Sequence, residues 1–97
     1  MGGIMDMLRR WKINRMTGRG VVLLKIGKYQ SALNLLQKTI ELDPGNQMAW
    51  TAKGLTFAKL HRHREAIQAY NKALTLNPSD EERKQINTLL KRARERE

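Results

Sequence analysis

Residues 47–80 read QMAWTAKGLTFAKLHRHREAIQAYNKALTLNPSD, and residues 13–46, 34 positions earlier, read INRMTGRGVVLLKIGKYQSALNLLQKTIELDPGN. Laid over one another, they agree at Gly20 and Gly54, Ala32 and Ala66, Lys38 and Lys72, Leu42 and Leu76, and Pro44 and Pro78. Conservative pairs fill the intervals: Leu23 with Phe57, Ile26 with Leu60, Leu33 with Ile67, Leu36 with Tyr70 and Ile40 with Leu74. A fixed internal period of this length marks a stack of similar helical hairpins. Such stacks offer a surface to partners.

The helices can be read outward from this register. Apolar residues at helical spacing run from Ile4 to Ile26. Gly18 and Gly20 interrupt them, each costing roughly 1 kcal/mol against Ala, and a glycine kept there suggests a close approach by another element. Gly27 is placed to end the helix in a left-handed cap. Tyr29–Leu42 follows, with Ala32, Leu35, Leu36, Thr39 and Ile40 as its buried stripe. Asp43-Pro44-Gly45-Asn46 is a turn, and Asn46 is the N-cap of a third helix to Leu60. A fourth runs from about Arg64 to Leu76, with Ala66, Ile67, Ala69, Tyr70, Ala73 and Leu74 facing inward. Ser79 and Glu82 form a capping box that opens a fifth, with Ile86, Leu89, Leu90 and Ala93 on one face.

Residues 47–80 resemble a tetratricopeptide repeat through Trp50, Gly54, Phe57, Ala66, Tyr70, Ala73 and Pro78, with Lys53 standing where that family usually has Leu. Residues 13–46 resemble a degenerate copy: Gly20, Tyr29, Ala32 and Pro44 fit, Met16 replaces the Trp and Thr39 an Ala. The expected fold is therefore all-α: about five helices in stacked antiparallel hairpins, wound as a right-handed superhelix. Its expected parts are an amphipathic extension of the first helix (1–12), a worn repeat (13–46), a well-formed repeat (47–80) and a capping helix (81–97).

The resemblance implies protein–protein binding in a concave groove lined by the first helix of each repeat. Carried over by position, the groove takes Asn14, Thr17, Val21, Leu24 and Lys25 from the first repeat. The second supplies Met48, Thr51, Leu55, Ala58 and Lys59, and the cap helix Gln85, Leu89 and Arg92. One branch of the family grips a chaperone's C-terminal carboxylate with Lys, Asn and Arg residues. The matching places here hold Thr17, Val21, Leu55, Gln85 and Leu89, which cannot make those charge-assisted bonds. An apolar floor with a basic rim suits an amphipathic helix with acidic flanks instead.

The formal net charge is +10, with five bases against Asp6 in residues 1–20. Such a charge draws a chain to acidic partners. It leaves open a basic module bound to RNA or the ribosome, although no motif for base readout is present. A self-associating scaffold is also open, because two repeats fall short of the three or so that stabilise a solenoid. Ile4, Leu8 and Trp11 form an apolar stripe ringed by Arg9, Arg10 and Lys12. The simplest expectation is that this segment packs on its own first repeat. A second copy of the chain is the next occupant, and an anionic membrane ranks behind both.

Several chemistries find no support. There is no cysteine, hence no disulfide or thiolate site, which fits a reducing, cytoplasmic setting. No apolar run approaches the ~20 residues of a membrane span. The start resembles a myristoylation signal, but Asp6 stands where Ser or Thr belongs. His61 and His63 have a metal-binding spacing without companion ligands beyond Glu65, so they read as solvated corner residues. Gly18-Arg19-Gly20 lacks the Lys-Ser/Thr end of a phosphate loop. No nucleophile–base or carboxylate pair converges, so neither an enzyme, a metal nor a cofactor is expected.

Overall fold

Glycine at 20 and 54 lets one helix of each hairpin lie almost on the other, and the rest of the fold follows from that approach. The computed structural model describes residues 2–97. Its helices are α1 (Gly3–Lys25), α2 (Tyr29–Leu42), α3 (Gln47–Lys59), α4 (His63–Leu74) and α5 (Asp80–Arg96). Each packs on the next in chain order, giving a stack of 48 × 29 × 18 Å. An ideal Cβ on Gly20 would lie 2.7 Å from Leu36 Cδ2, and one on Gly54 would lie 2.5 Å from Tyr70 Cε1. The same contact thus recurs one period later. Gly18 differs: nothing lies within 4 Å of its Cβ position, so no element approaches there.

The two hairpin corners are also copies. Gly27 and His61 both take left-handed backbone, with φ of 85° and 59°. At the first, Lys28 N–H donates to the Leu23 carbonyl at 2.9 Å and Gly27 N–H to the Leu24 carbonyl at 3.2 Å. At the second, Arg62 N–H donates to the Phe57 carbonyl at 2.9 Å and His61 N–H to the Ala58 carbonyl at 3.0 Å. These are paired Schellman bonds, which absorb carbonyls the helix end leaves free. His61 takes up this backbone with a side chain, a conformation costing roughly 1–2 kcal/mol that Gly27 avoids. After α3 the corner is short: α4 begins at His63 and ends at Leu74, one residue before and two residues before the boundaries expected from sequence.

Caps close the remaining ends. Asn46 accepts the Ala49 N–H at 3.0 Å, and its amide donates to the Thr17 hydroxyl at 3.2 Å, tying α3 to α1. Ser79 and Glu82 exchange both bonds of a capping box. The backbone and side-chain bonds to Ser79 hold the Glu82 carboxyl below its ordinary range. Buried Thr17, Thr39 and Thr56 donate to carbonyls four residues earlier, so no hydroxyl is stranded.

Two apolar clusters form the core. Ala32, Leu36, Ile40, Ala49 and Ala52 join α2 to α3, with Leu23 and Leu24 of α1 packed on them. Phe57, Ala66, Tyr70, Ala73, Ile86, Leu90 and Ala93 join α3, α4 and α5. Trp50 packs against both. Lys53, the residue that departs from the family pattern, sits at this junction. Its Nζ donates to Gln37 Oε1 at 2.6 Å and stands 5.0 Å from the Trp50 ring centre and 5.8 Å from that of Phe57. Burial pushes its ammonium below the ordinary lysine value, with Glu65 opposing. The stem therefore does the packing work of a leucine.

Tyr70 is 1% exposed, and burial pushes its phenol up to about 12. The folded chain thus favours the neutral phenol relative to the unfolded chain, which ionises near 10. This contribution is complete below about pH 10 and lost as pH rises from there toward 12. In Tyr29→Phe protein, where Tyr70 is the sole tyrosine, ultraviolet titration should show phenolate forming only near pH 12 while the helix signal persists. Ionisation at pH 10 in the folded protein would contradict this packing.

The expected docking of the N-terminal extension does not occur. Arg9 Nη2 donates to the Leu42 carbonyl at 2.9 Å, closing the end of α2. Ile4, Met5, Met7, Leu8 and Trp11 nevertheless all stay exposed. The reason is length: α1 is far longer than α2, so its first turns project beyond the hairpin.

Candidate functional site

Because odd-numbered helices follow one another along one side of the stack, residues a helical turn apart on each converge there. Val21, Leu24 and Lys25 of α1 meet Met48, Thr51, Leu55 and Lys59 of α3, with Glu82, Gln85 and Ile86 of α5 closing the far wall. They surround an open groove of about 540 Å³. Tyr29, Gln47 and Ala52 complete its lining. A second recess of about 220 Å³ continues past Leu55 and Lys59. Ala58, His63, Tyr70, Leu89, Arg92, Ala93 and Arg96 line the rest of it.

The two recesses are one motif repeated. Shifting by 34 carries Val21 onto Leu55, Lys25 onto Lys59, Tyr29 onto His63 and Leu55 onto Leu89. Leu55 and Lys59 therefore belong to both recesses, in one as the second wall and in the other as the first. Tyr29 and His63 open the second helix of each repeat, α2 and α4, so carry-over from first helices misses them; the register adds only that if one lines a recess the other is its equivalent. Glu82 and Ile86 lie one turn from Gln85 and Leu89 on α5 and follow from helical spacing alone.

Of the groove residues expected from sequence, Val21, Leu24, Lys25, Met48, Thr51, Leu55, Lys59 and Gln85 line the larger recess. Leu89 and Arg92 line the smaller one. Thr17 and Asn14 line neither. Thr17 is buried, its hydroxyl held between the Ile13 carbonyl and the Asn46 amide, so it is not available to a partner. Asn14 is exposed outside the groove.

The electrostatics are asymmetric. Lys25 and Lys59 stand exposed on the rim, whereas Thr51 is satisfied within α3: its hydroxyl donates to the Gln47 carbonyl and accepts from the Gln47 amide. Glu82 adds one carboxylate to the lining, held at Ser79. Met48 is 58% exposed, an apolar side chain standing in water at the groove edge. The arrangement can desolvate an apolar ridge and attract acidic flanks.

Among the described residues no three His, Cys, Asp or Glu side chains are placed to hold a metal ion. No helix there is long and apolar enough to cross a membrane. His63 departs from its expected solvated position: it is half-buried in the first turn of α4, edge-on to His61 with ring centres 6.0 Å apart.

Comparison with known proteins agrees with this geometry. No curated protein matches the chain. A family model described as Tetratricopeptide repeat matches residues 17–81, about two thirds of the sequence. That span covers both glycine crossings, both corners and the odd-numbered walls of the groove as far as the start of α5. The chain belongs to the tetratricopeptide repeat family.

Proposed function

We propose that this chain is a binding module that seats an amphipathic helix with acidic flanks, contributed by a partner protein, across α1, α3 and α5. The observation that carries it is the doubled recess: apolar lining continuous through Leu55, with Lys25 and Lys59 on one rim at the repeat spacing. Tetratricopeptide repeats generally mediate protein–protein interaction. An apolar helix face laid into such a groove is read through anchors at i, i+3, i+4 and i+7. The lysines would steer the acidic flanks and set orientation more than affinity.

The test uses synthetic peptides with a leucine stripe at those spacings, flanked by glutamates or by lysines. Fluorescence anisotropy should show the glutamate-flanked peptide binding more tightly, with an advantage that shrinks as salt rises. Lys25→Glu/Lys59→Glu should weaken that peptide about tenfold and abolish its advantage over the lysine-flanked one. Equal binding of both peptides to the parent chain would sink the reading of the rim.

A further inference from the structure

Helix α1 is apolar on two opposite sides, and the hairpin covers one of them. Ile13, Thr17 and Gly20 are its buried residues. Half a turn away, Ile4, Leu8, Trp11, Val22 and Ile26 fall within an arc of about 60° at 100° per residue. All five are more than half exposed, Trp11 at 59%. The stripe has two parts on that side, Ile4, Leu8 and Trp11 in one and Val22 and Ile26 in the other, with Arg15 and Arg19 between them. Together they extend from the first turn of α1 to its C-cap, a length of roughly 34 Å at 1.5 Å per residue. Lys12, Arg15 and Arg19 run along it, and the Arg15 guanidinium stands 5.3 Å over the Trp11 ring. The one acidic residue of α1, Asp6, is on the opposite side of the helix.

We propose that this outer face of α1 lies flat on an anionic lipid surface. The five apolar side chains enter the boundary between headgroups and acyl chains, and Lys12, Arg15 and Arg19 remain among the lipid phosphates. Trp11 has the amphipathic ring that such boundaries favour. The arginine stems lie along the stripe while their heads reach water or phosphate.

Charge decides between this occupant and the others. A second copy of the chain would set the same cations against their duplicates, with no carboxylate on that face to pair them. An RNA would engage the cations and leave the stripe in water. Anionic lipid satisfies both features. Exposure of the whole stripe thus reverses the order expected from sequence, in which a membrane came last. Val21 and Leu24, which line the groove, lie on another side of α1, so the groove stays open when this face is occupied.

The full chain should co-sediment with phosphatidylcholine vesicles that contain phosphatidylserine, far less with phosphatidylcholine alone, and less as salt rises. Leu8→Gln/Trp11→Gln should lower the partition onto the mixed vesicles by about tenfold or more. Its circular dichroism should be unchanged, since both side chains stand outside the core. Leu55→Glu, on the groove, should leave vesicle binding as it is, which separates this proposal from the peptide-binding one. The proposal is overturned if the chain ignores the mixed vesicles, binds both vesicles equally, or binds them undiminished after the double substitution. It is equally overturned if, without vesicle binding, the double substitution dissociates a solution dimer or RNA shifts the chain in a gel.

Discussion

Gly54→Ala is expected to destabilise the chain by about 2–4 kcal/mol, a large share of the roughly 5–15 kcal/mol that holds a domain folded. The added Cβ would sit 2.5 and 2.6 Å from two carbons of the Tyr70 ring and 3.2 Å from a third. Tyr70 cannot turn aside, because Phe57, Ala66, Ala73, Ile86 and Leu90 enclose it in one cluster. Relief must come from parting α3 and α4, which opens that cluster along its length. At Gly20 the obstructing atoms are the Cδ2 and Cγ of Leu36, an aliphatic side chain with rotamers to try. Gly20→Ala should therefore cost less, about 1–3 kcal/mol. Gly18→Ala meets nothing within 4 Å and should stabilise the chain by up to roughly 1 kcal/mol through helix propensity. Urea denaturation of the three variants tests the ranking. If Gly54→Ala melted with the parent, the helices would not approach as closely as they do here.

Leu55→Glu should abolish binding of the glutamate-flanked helical peptide, weakening it at least about 100-fold. Leu55 is the one apolar wall common to both recesses, so a single change removes the floor in two places. The new carboxylate would face the ligand's apolar stripe and its acidic flanks together. Leu55 is half-buried and packs on the edge of the Phe57–Tyr70 cluster, so the fold should survive with a small loss of stability. Leu55→Ala controls for that loss: it removes the apolar contact without the charge and should weaken the peptide by about tenfold. Unchanged affinity in the glutamate variant would refute the groove as the binding surface.

The period alone made the helices, their corners and most of the groove legible, because close crossings demand glycine and alanine at fixed spacing. Three things lay beyond it. Thr17 and Thr51 are the same residue at equivalent positions, yet Thr17 is buried and Thr51 half-exposed. The N-caps explain this: Asn46 reaches back to Thr17, whereas α5 is capped by Ser79, one residue earlier in the register. The two faces of α1 were a second blind spot. Apolar spacing identifies a helix, but it cannot say which of two apolar sides a neighbour will cover. Lys53 was the third: on paper a charge in an apolar place, it is accommodated by Gln37 of α2 and by Trp50 and Phe57, its neighbours one turn away on α3.

Trp50 has a further consequence for how the stack comes apart. Its indole N–H donates to the Pro44 carbonyl at 2.9 Å, and its ring carries Lys53 on one contact and Lys72 on another. In a repeat array, cooperativity resides in the interfaces between neighbours rather than in the units. With two hairpins there is one such interface, and a single ring touches the apolar clusters on both sides of it. Opening either end disturbs the ring that the other end leans on. Amide exchange in α2 and α5 is therefore expected to be coupled through Trp50, and a ligand that slows exchange in the last helix should slow it in the second as well.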